Sequence, residues 1–426
     1  MKKPASLKWV KGCIWLYFIL LIFEGALRKW VFPSLATPLL IIRDPVALIA
    51  LTIAFYNNFV KINFYVFLIS LITFFSSIFT LLTGHGDAVV TLFGARIFLI
   101  HFPFIFVIGK VFDRDDVIKM GKAIIVLSLP MTILLAAQFY SPQSAWVNRG
   151  VGGDMEGSGF SGAMGYFRSS GTFSFTNGLV IFYALVIPFI LFFWLDSKAY
   201  IKKWLLQMGT ICCIIAIPLS ISRTLFFSSV ITLLFAALIL TRQPKLLWRM
   251  ISAFIILAVG FYLLSGFSFM QTGIMAFAER FDSANKTEGG LEGIFLDRFL
   301  GGMIGAIEQS NNYPFFGLGL GMGTNVGAKL MTGKVTYLIS EGEWGRLIGE
   351  MGILFGIAVI LIRSHLSISL LRKAYRAISK KNILPWLLIS YGFINIIQGL
   401  WAQPTALGFI MLCTGLIMAA FRRRLV

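Results

Sequence analysis

The chain is short of charge. Only 13% of its 426 residues are Asp, Glu, Lys or Arg, while 58% are hydrophobic. A soluble domain carries about 25% charged residues. One aqueous core cannot hide that much apolar surface, so lipid is expected to cover it. Histidine is scarcer still: His85, His101 and His365 are all there are. None stands beside an acid pair, which argues against a zinc site, and no cofactor is expected. The four cysteines, Cys13, Cys212, Cys213 and Cys413, fall inside apolar runs and read as small packing residues. The run Gly317-x-Gly319-x-Gly321-x-Gly323 lacks a following Gly-Lys-Ser/Thr, so it is not a nucleotide loop. It reads as a flexible turn, with an anion-binding backbone nest as the alternative. No internal repeat is legible, which weakens a transporter made of duplicated halves. The first apolar run ends in Glu24-Gly25-Ala26-Leu27-Arg28 without a small-residue cleavage pattern, and is expected to persist as a span.

What is present is a series of apolar runs near the roughly 20 residues that a bilayer requires. They lie near 11–27, 36–56, 63–82, 91–109, 122–140, 176–195, 205–221, 224–240, 250–267, 346–362, 383–401 and 405–421. The pattern predicts an all-α polytopic membrane protein of about twelve transmembrane helices in a single domain, 1–426. The formal net charge of +19 does not signal nucleic acid. The basic residues recur between apolar runs, as topology signals do. With the amino terminus inside, every short inside segment is basic, from Lys2, Lys3, Lys8 and Lys11 to Arg422, Arg423 and Arg424. The segment holding Arg363, Arg372, Lys373, Arg376, Lys380 and Lys381 falls inside as well. Both ends are then cytoplasmic, and two long loops, 141–175 and 268–345, lie outside and are expected to contain surface helices.

Long loops in compact proteins are usually functional or disordered, and these carry aromatics, glycine and patterned charge. The first ends in Gly165-Tyr166-Phe167-Arg168-Ser169-Ser170-Gly171-Thr172-Phe173-Ser174-Phe175. The second contains a predicted amphipathic surface helix over 294–309, with Asp297, Gly301, Gly305 and Glu308 on one stripe and Arg298 beside it. Next come Pro314-Phe315-Phe316-Gly317-Leu318-Gly319-Leu320-Gly321 and then Ser340-Glu341-Gly342-Glu343-Trp344-Gly345-Arg346 at the start of a span. A helix beginning near Gly342 places Glu343, Arg346 and Glu350 on one face, directed into the bundle.

Arg168, Arg223, Arg298 and Arg346 are the outer-side cations of interest, where topology disfavours positive charge. A guanidinium fork suits phosphate oxygens, and several at one depth would suit a diphosphate. The plain alternative is an interfacial arginine or a local ion pair. Glu341, Glu343 and Glu350 are the outer acids nearest the membrane, where a carboxylate can act as general base toward a sugar hydroxyl. Their plain alternative is a carboxylate favoured by a helix start. Glu24 with Arg28, Arg43 with Asp44, and Arg96 with His101 read as structural pairs or a polar seam between helices.

Together the two long outer loops, the Arg before the sixth span, the Pro-Phe-Phe-Gly-Leu-Gly-Leu-Gly stretch and the acidic-aromatic segment opening a span resemble the O-antigen ligase/polymerase superfamily. Roughly residues 130–365 carry the likeness. The resemblance implies a GT-C-type glycosyltransferase of the bacterial inner membrane, acting on glycans borne by undecaprenyl diphosphate at the periplasmic face. It implies metal-independent, inverting transfer to a glycan acceptor hydroxyl. Arg223 then matches the family's arginine at the outer end of a span, and Arg298 the arginine on the large loop's surface helix. Arg168, Arg346 and Glu350 would support the diphosphate and glycan. The family's ligases place a His after that helix as base; this chain has none between 268 and 345, and Glu343 or Glu341 stands there instead. That departure favours a polysaccharide polymerase over a ligase. A chain-length regulator or export complex is the expected protein partner. A flippase or other transporter, and a structural member of an export complex, are the competing readings.

Overall fold

The computed structural model describes residues 3–196, 198, 200–287, 302–308, 313–334 and 336–422. The protein is 76% helical. Most of its helices fall on the apolar runs. They are α1 (Lys3–Ala26), the short α2 (Ala36–Leu39), α3 (Arg43–Tyr56), α4 (Phe64–Leu82), α5 (Ala88–Arg96), α6 (Phe102–Val111), α7 (Arg114–Tyr140), α8 (Thr176–Leu195), α9 (Lys203–Leu219), α10 (Arg223–Ile239) and α11 (Leu247–Ser265). There follow α12 (Ser268–Thr287), α13 (Gly302–Glu308), α14 (Asn325–Thr332), α15 (Glu343–Ser379), α16 (Leu384–Gln398) and α17 (Pro404–Ala420). Eight helical stretches are long and apolar enough to cross a membrane, and four more apolar helices are shorter. This is consistent with a multi-pass membrane protein.

Burial follows the apolar pattern. The helix α8 is apolar on every side and is almost entirely enclosed by α7, α9, α10, α16 and α17. Peripheral helices keep large apolar side chains on the lateral surface, among them Phe64, Phe67 and Phe74 of α4 and Tyr262 and Leu263 of α11. Such faces are stable only against an apolar medium.

The two ends of the bundle differ. At one end Lys11 pairs with Asp116, Arg114 donates to Asp196, Tyr200 and Asn382, and Arg249 donates to the Leu195 carbonyl. Arg422 there reaches the Phe112 carbonyl and Arg242 the Tyr375 hydroxyl. This basic end gathers the short charged connections. The opposite end holds irregular backbone. There the Trp30 ring stacks on Trp146 at 5.6 Å, Arg28 donates to Ser174, and Trp344 donates to the Ile397 carbonyl.

Several elements differ from the sequence expectation. The 141–175 segment, expected to hold a surface helix, has only a 3₁₀ turn at Trp146–Asn148 and a two-stranded hairpin among its described residues. The strands β1 (Phe160–Ala163) and β2 (Tyr166–Arg168) are joined by Met164-Gly165, both with positive φ, as a tight hairpin turn requires. The 268–345 segment begins with the 20-residue α12, which has no place among the apolar runs. Its second half carries Glu279, Arg280 and Asp282, yet Phe277 and Phe281 pack on Phe226 of α10. Within the expected 294–309 helix, 302–308 is helical, whereas Asp297 and Arg298 lie outside the described residues.

The largest departure is α15. Helical geometry breaks at Gly352, with φ 73° and ψ 173°. In a straight helix Glu343 and Arg363 would stand roughly 30 Å apart. Their side chains instead meet at 2.7 Å. The arm before Gly352 therefore folds back along the arm after it. The arms touch where a Cβ on Gly356 would come within 2.8 Å of Ile348 Cα. Arg363, expected in an inside segment, lies beside Glu343 at the irregular end, because the crossing arm runs on to Ser379.

Gly352 occupies a backbone region open essentially to glycine alone, and a Cβ there would overlap the Phe315 carbonyl. Gly352→Ala should therefore cost roughly 3 kcal/mol or more, read as a lower melting temperature of the detergent-purified protein. Unchanged melting would contradict the fold-back.

Candidate functional site

The irregular end is built around two buried ion clusters. The first grows from the start of α15. Gly342 precedes the helix, and Glu343, Arg346 and Glu350 project from one face, as their spacing requires. Arg346 donates to both oxygens of Glu343, at 2.9 and 3.1 Å, and to Glu350 Oε2 at 2.6 Å. Arg363 arrives from the second arm at 2.7 Å, and the Trp401 backbone N–H donates to Glu343 Oε2 at 3.1 Å. Glu343 thus accepts four hydrogen bonds. Glu350 Oε1 accepts the Gly323 N–H at 2.8 Å. The remaining donors of Arg363 reach the carbonyls of Ile396 and Gly399, and its guanidinium lies 3.8 Å from the Trp401 ring centroid. Two carboxylates balance two guanidinium groups, all buried.

The glycine run is part of this cluster. Leu318 and Gly319 donate to the carbonyls of Gly349 and Glu350. Gly321, at φ 91°, presses on α5, where a Cβ on Gly94 would come within 2.5 Å of its nitrogen. The glycines are therefore close-contact positions that seat a loop between α5 and the fold-back arm. They are neither a free turn nor an open nest.

The second cluster joins α1, α3, α5 and the start of α6. Glu24 accepts from Arg28 at 3.2 Å and from Arg43 at 3.1 Å. Arg96 holds both oxygens of Asp44, at 2.7 and 2.9 Å, and His101 meets Asp44 Oδ1 at 2.9 Å. Tyr17 lies 3.1 Å from His101 Nδ1. Two π-helical turns, Leu27–Val31 and Ile97–His101, follow Arg28 and Arg96 closely or contain them, and shift the inward register there. The expected structural pairs are thus one connected network holding two carboxylates against three guanidinium groups. Lys29, buried next to it, donates to Ser170 Oγ at 3.0 Å and to the Gly171 carbonyl at 2.7 Å. The short link between α16 and α17 ties the clusters together: Trp401 N–H serves Glu343, and the Pro404 carbonyl accepts from Arg43 at 2.7 Å.

The other expected residues that the structure describes lie at the same end. Arg223 is buried at the first position of α10, after a turn in which Ile221 has φ 46° and Ser222 Oγ accepts the Leu225 N–H at 3.3 Å. The hairpin covers this turn, since a Cβ on Gly162 would come within 2.8 Å of Ile221 Cδ1. Arg168 leaves β2 with its guanidinium 4.8 Å from the Phe160 ring centroid. Glu341 is exposed just before α15. Glu343, Arg346 and Glu350 are not exposed, and in this arrangement they serve one another. Arg298 lies outside the described residues. Sequence reading passed over Arg363 and Lys29, because one was counted as a topology signal and the other stood in a loop with Arg28. Among the described residues no group of three or more His, Cys, Asp or Glu is placed to hold a metal ion.

Breaking a buried ion pair from one side leaves a charge without its partner and costs roughly 3–5 kcal/mol. Glu343→Gln should show a loss of that order in equilibrium unfolding in detergent. Adding Arg363→Met to Glu343→Gln should restore part of it, so the two effects are strongly non-additive. Additive losses would show that the pair does not act as a unit. Comparison of the chain with models of known families, with curated proteins and with solved structures returned no match.

Proposed function

We propose that the protein is a membrane glycosyltransferase with twelve spans, both termini in the cytoplasm, and its irregular end at the outer face of a bacterial inner membrane. The reaction is that of a polysaccharide polymerase. An acceptor sugar hydroxyl attacks the anomeric carbon of an oligosaccharide carried on undecaprenyl diphosphate. The C–O bond to the diphosphate breaks, the configuration inverts, and the diphosphate leaves with the electron pair. Such a leaving group needs little covalent help, so positioning and cations carry the catalysis.

The observation that supports this reading best is the setting of Arg223. A cation at a helix N-terminus opposes the helix dipole, and both the guanidinium and the N–H groups of a first turn favour an anion. Arg223 has this place on α10, and the hairpin that bears Arg168 covers the turn before it. The cation excess of the Glu24–Asp44 network adds positive charge at the same end. In this proposal Arg223 and Arg298 hold the diphosphate and Arg168 assists. Glu341 is the base, because its carboxylate is exposed whereas Glu343 already accepts four hydrogen bonds. Glu343, Arg346 and Glu350 position the frame that presents Glu341. Transfer to another acceptor, as in an O-antigen ligase, uses the same groups.

A transporter or lipid-glycan flippase is the second reading, favoured by charged side chains buried within several spans, such as Arg43, Arg96 and Arg363. Against it, these charges are held by one another and by backbone carbonyls. Purified protein in detergent separates the two, since it has no compartments to transport between. An enzyme should still lengthen lipid-linked glycan there. Arg223→Ala should slow that elongation on the order of a hundredfold, equivalent to about 2–4 kcal/mol, by comparison with a lost oxyanion donor. Glu341→Gln should lower the rate. Elongation that survives both Arg223→Ala and Arg168→Ala at full rate would overturn the assignment.

A further inference from the structure

At the basic end of the bundle, the final turns of α15, the turn into α16 and the end of α17 enclose an open cleft of about 1040 Å³ of empty space. Lys373, Arg376 and Lys380 line it, with Asn382, Ala377 and Phe421. Among the described residues no carboxylate lines this cleft. A second cleft at the same end is a useful contrast. There Lys11, Lys119 and Lys122 face Asp113, Asp115 and Asp116, and Lys11 is paired with Asp116. Asp113 is held below the usual carboxylate range: its partial burial opposes this, but the Asp116 and Asp115 backbone N–H groups and Lys11 outweigh it. That cleft neutralises its own cations, whereas the cleft at the end of α15 leaves three of one sign together. Helix C-termini favour cations, which explains one or two of them there. It does not explain a concavity whose polar lining, among the described residues, is all positive except for an asparagine.

The surface leading to the cleft indicates what fills it. On the crossing arm of α15, the exposed residues Leu361, His365, Ile368, Arg372, Arg376 and Lys380 follow one another at three- or four-residue steps. They form one stripe along the helix. Its start is apolar: Leu361 is 62% exposed and Ile368 38%. Its end is cationic and opens into the cleft. A molecule with an apolar tail and an anionic head matches that sequence of surfaces, and a freely soluble anion matches only its end. We propose that the cleft is a binding site for the phosphate of an anionic phospholipid, with an acyl chain along the Leu361–Ile368 stripe. The site is independent of the glycosyl-transfer reading, because it lies at the opposite end of the bundle.

The test is retention of phosphatidylglycerol by the purified full-length chain in mixed micelles. Phosphatidylcholine and inorganic phosphate serve as competitors. Each cation near an anionic lipid surface is worth about a fivefold change, so Lys373→Gln with Arg376→Gln and Lys380→Gln should weaken retention on the order of a hundredfold. Lys119→Gln with Lys122→Gln should leave it unchanged, phosphatidylcholine should not compete, and raised salt should weaken it. If the triple variant fails to fold, Lys380→Gln alone should show about a fivefold loss, and Lys380→Arg should restore it. Undiminished retention by a folded triple or single variant would overturn the proposal, as would an equal loss in the Lys119 and Lys122 variant. Displacement by inorganic phosphate as readily as by lipid would assign the cleft to a soluble anion instead.

Discussion

The Glu343 carboxylate is the point on which the irregular end of the molecule depends. It accepts from Arg346 on its own arm, from Arg363 on the crossing arm and from the Trp401 backbone on the link between α16 and α17. Three segments far apart in sequence are thereby held at one place. A buried pair adds little net stability over apolar packing, because desolvation offsets most of the attraction. Its consequence is geometric. Once the charges are inside, every alternative arrangement strands one of them, so the fold-back at Gly352 and the register of its two arms are tightly specified.

The same requirement explains how so much non-helical backbone sits at the end of an apolar bundle. Peptide groups away from water need partners. Polar side chains supply them. Asn148 reaches the carbonyls of Gln138, Ser141 and Pro142, while Gln138 exchanges hydrogen bonds with Gly171. Thr80 receives the Leu320 N–H, and Arg28 donates to the Ala36 carbonyl. Glycines supply the room: Gly94, Gly321 and Gly352 each stand where a side chain would meet backbone. A polar end on an apolar scaffold is the arrangement that the proposed transfer would need.

The helical content was legible because it rests on length and hydropathy alone. Each of the eight long and four short apolar helices covers an apolar run, although α15 continues well past the end of its run. The face shared by Glu343, Arg346 and Glu350 was legible for the same reason, as helical periodicity is local. The helix α12 was not, because its charged second half conceals an aromatic stripe that only packing against Phe226 reveals. The hairpin at 160–168 was hidden in a glycine-rich stretch, although Gly165 marks its turn.

The amino-acid sequence by itself determined that the chain is a bundle of apolar helices, where its charged connections fall, and which acids and arginines share a helical face. These follow from transfer free energy and helical period, which need no knowledge of neighbours. Only the tertiary structure decided which charges are partners. Arg363 became the companion of Glu343, the separate pairs of α1, α3 and α5 became one network, and Lys373, Arg376 and Lys380 became the wall of a cleft. Such pairings depend on where remote segments are brought together, and a glycine at 352 turns the chain back on itself in a way that no local pattern records.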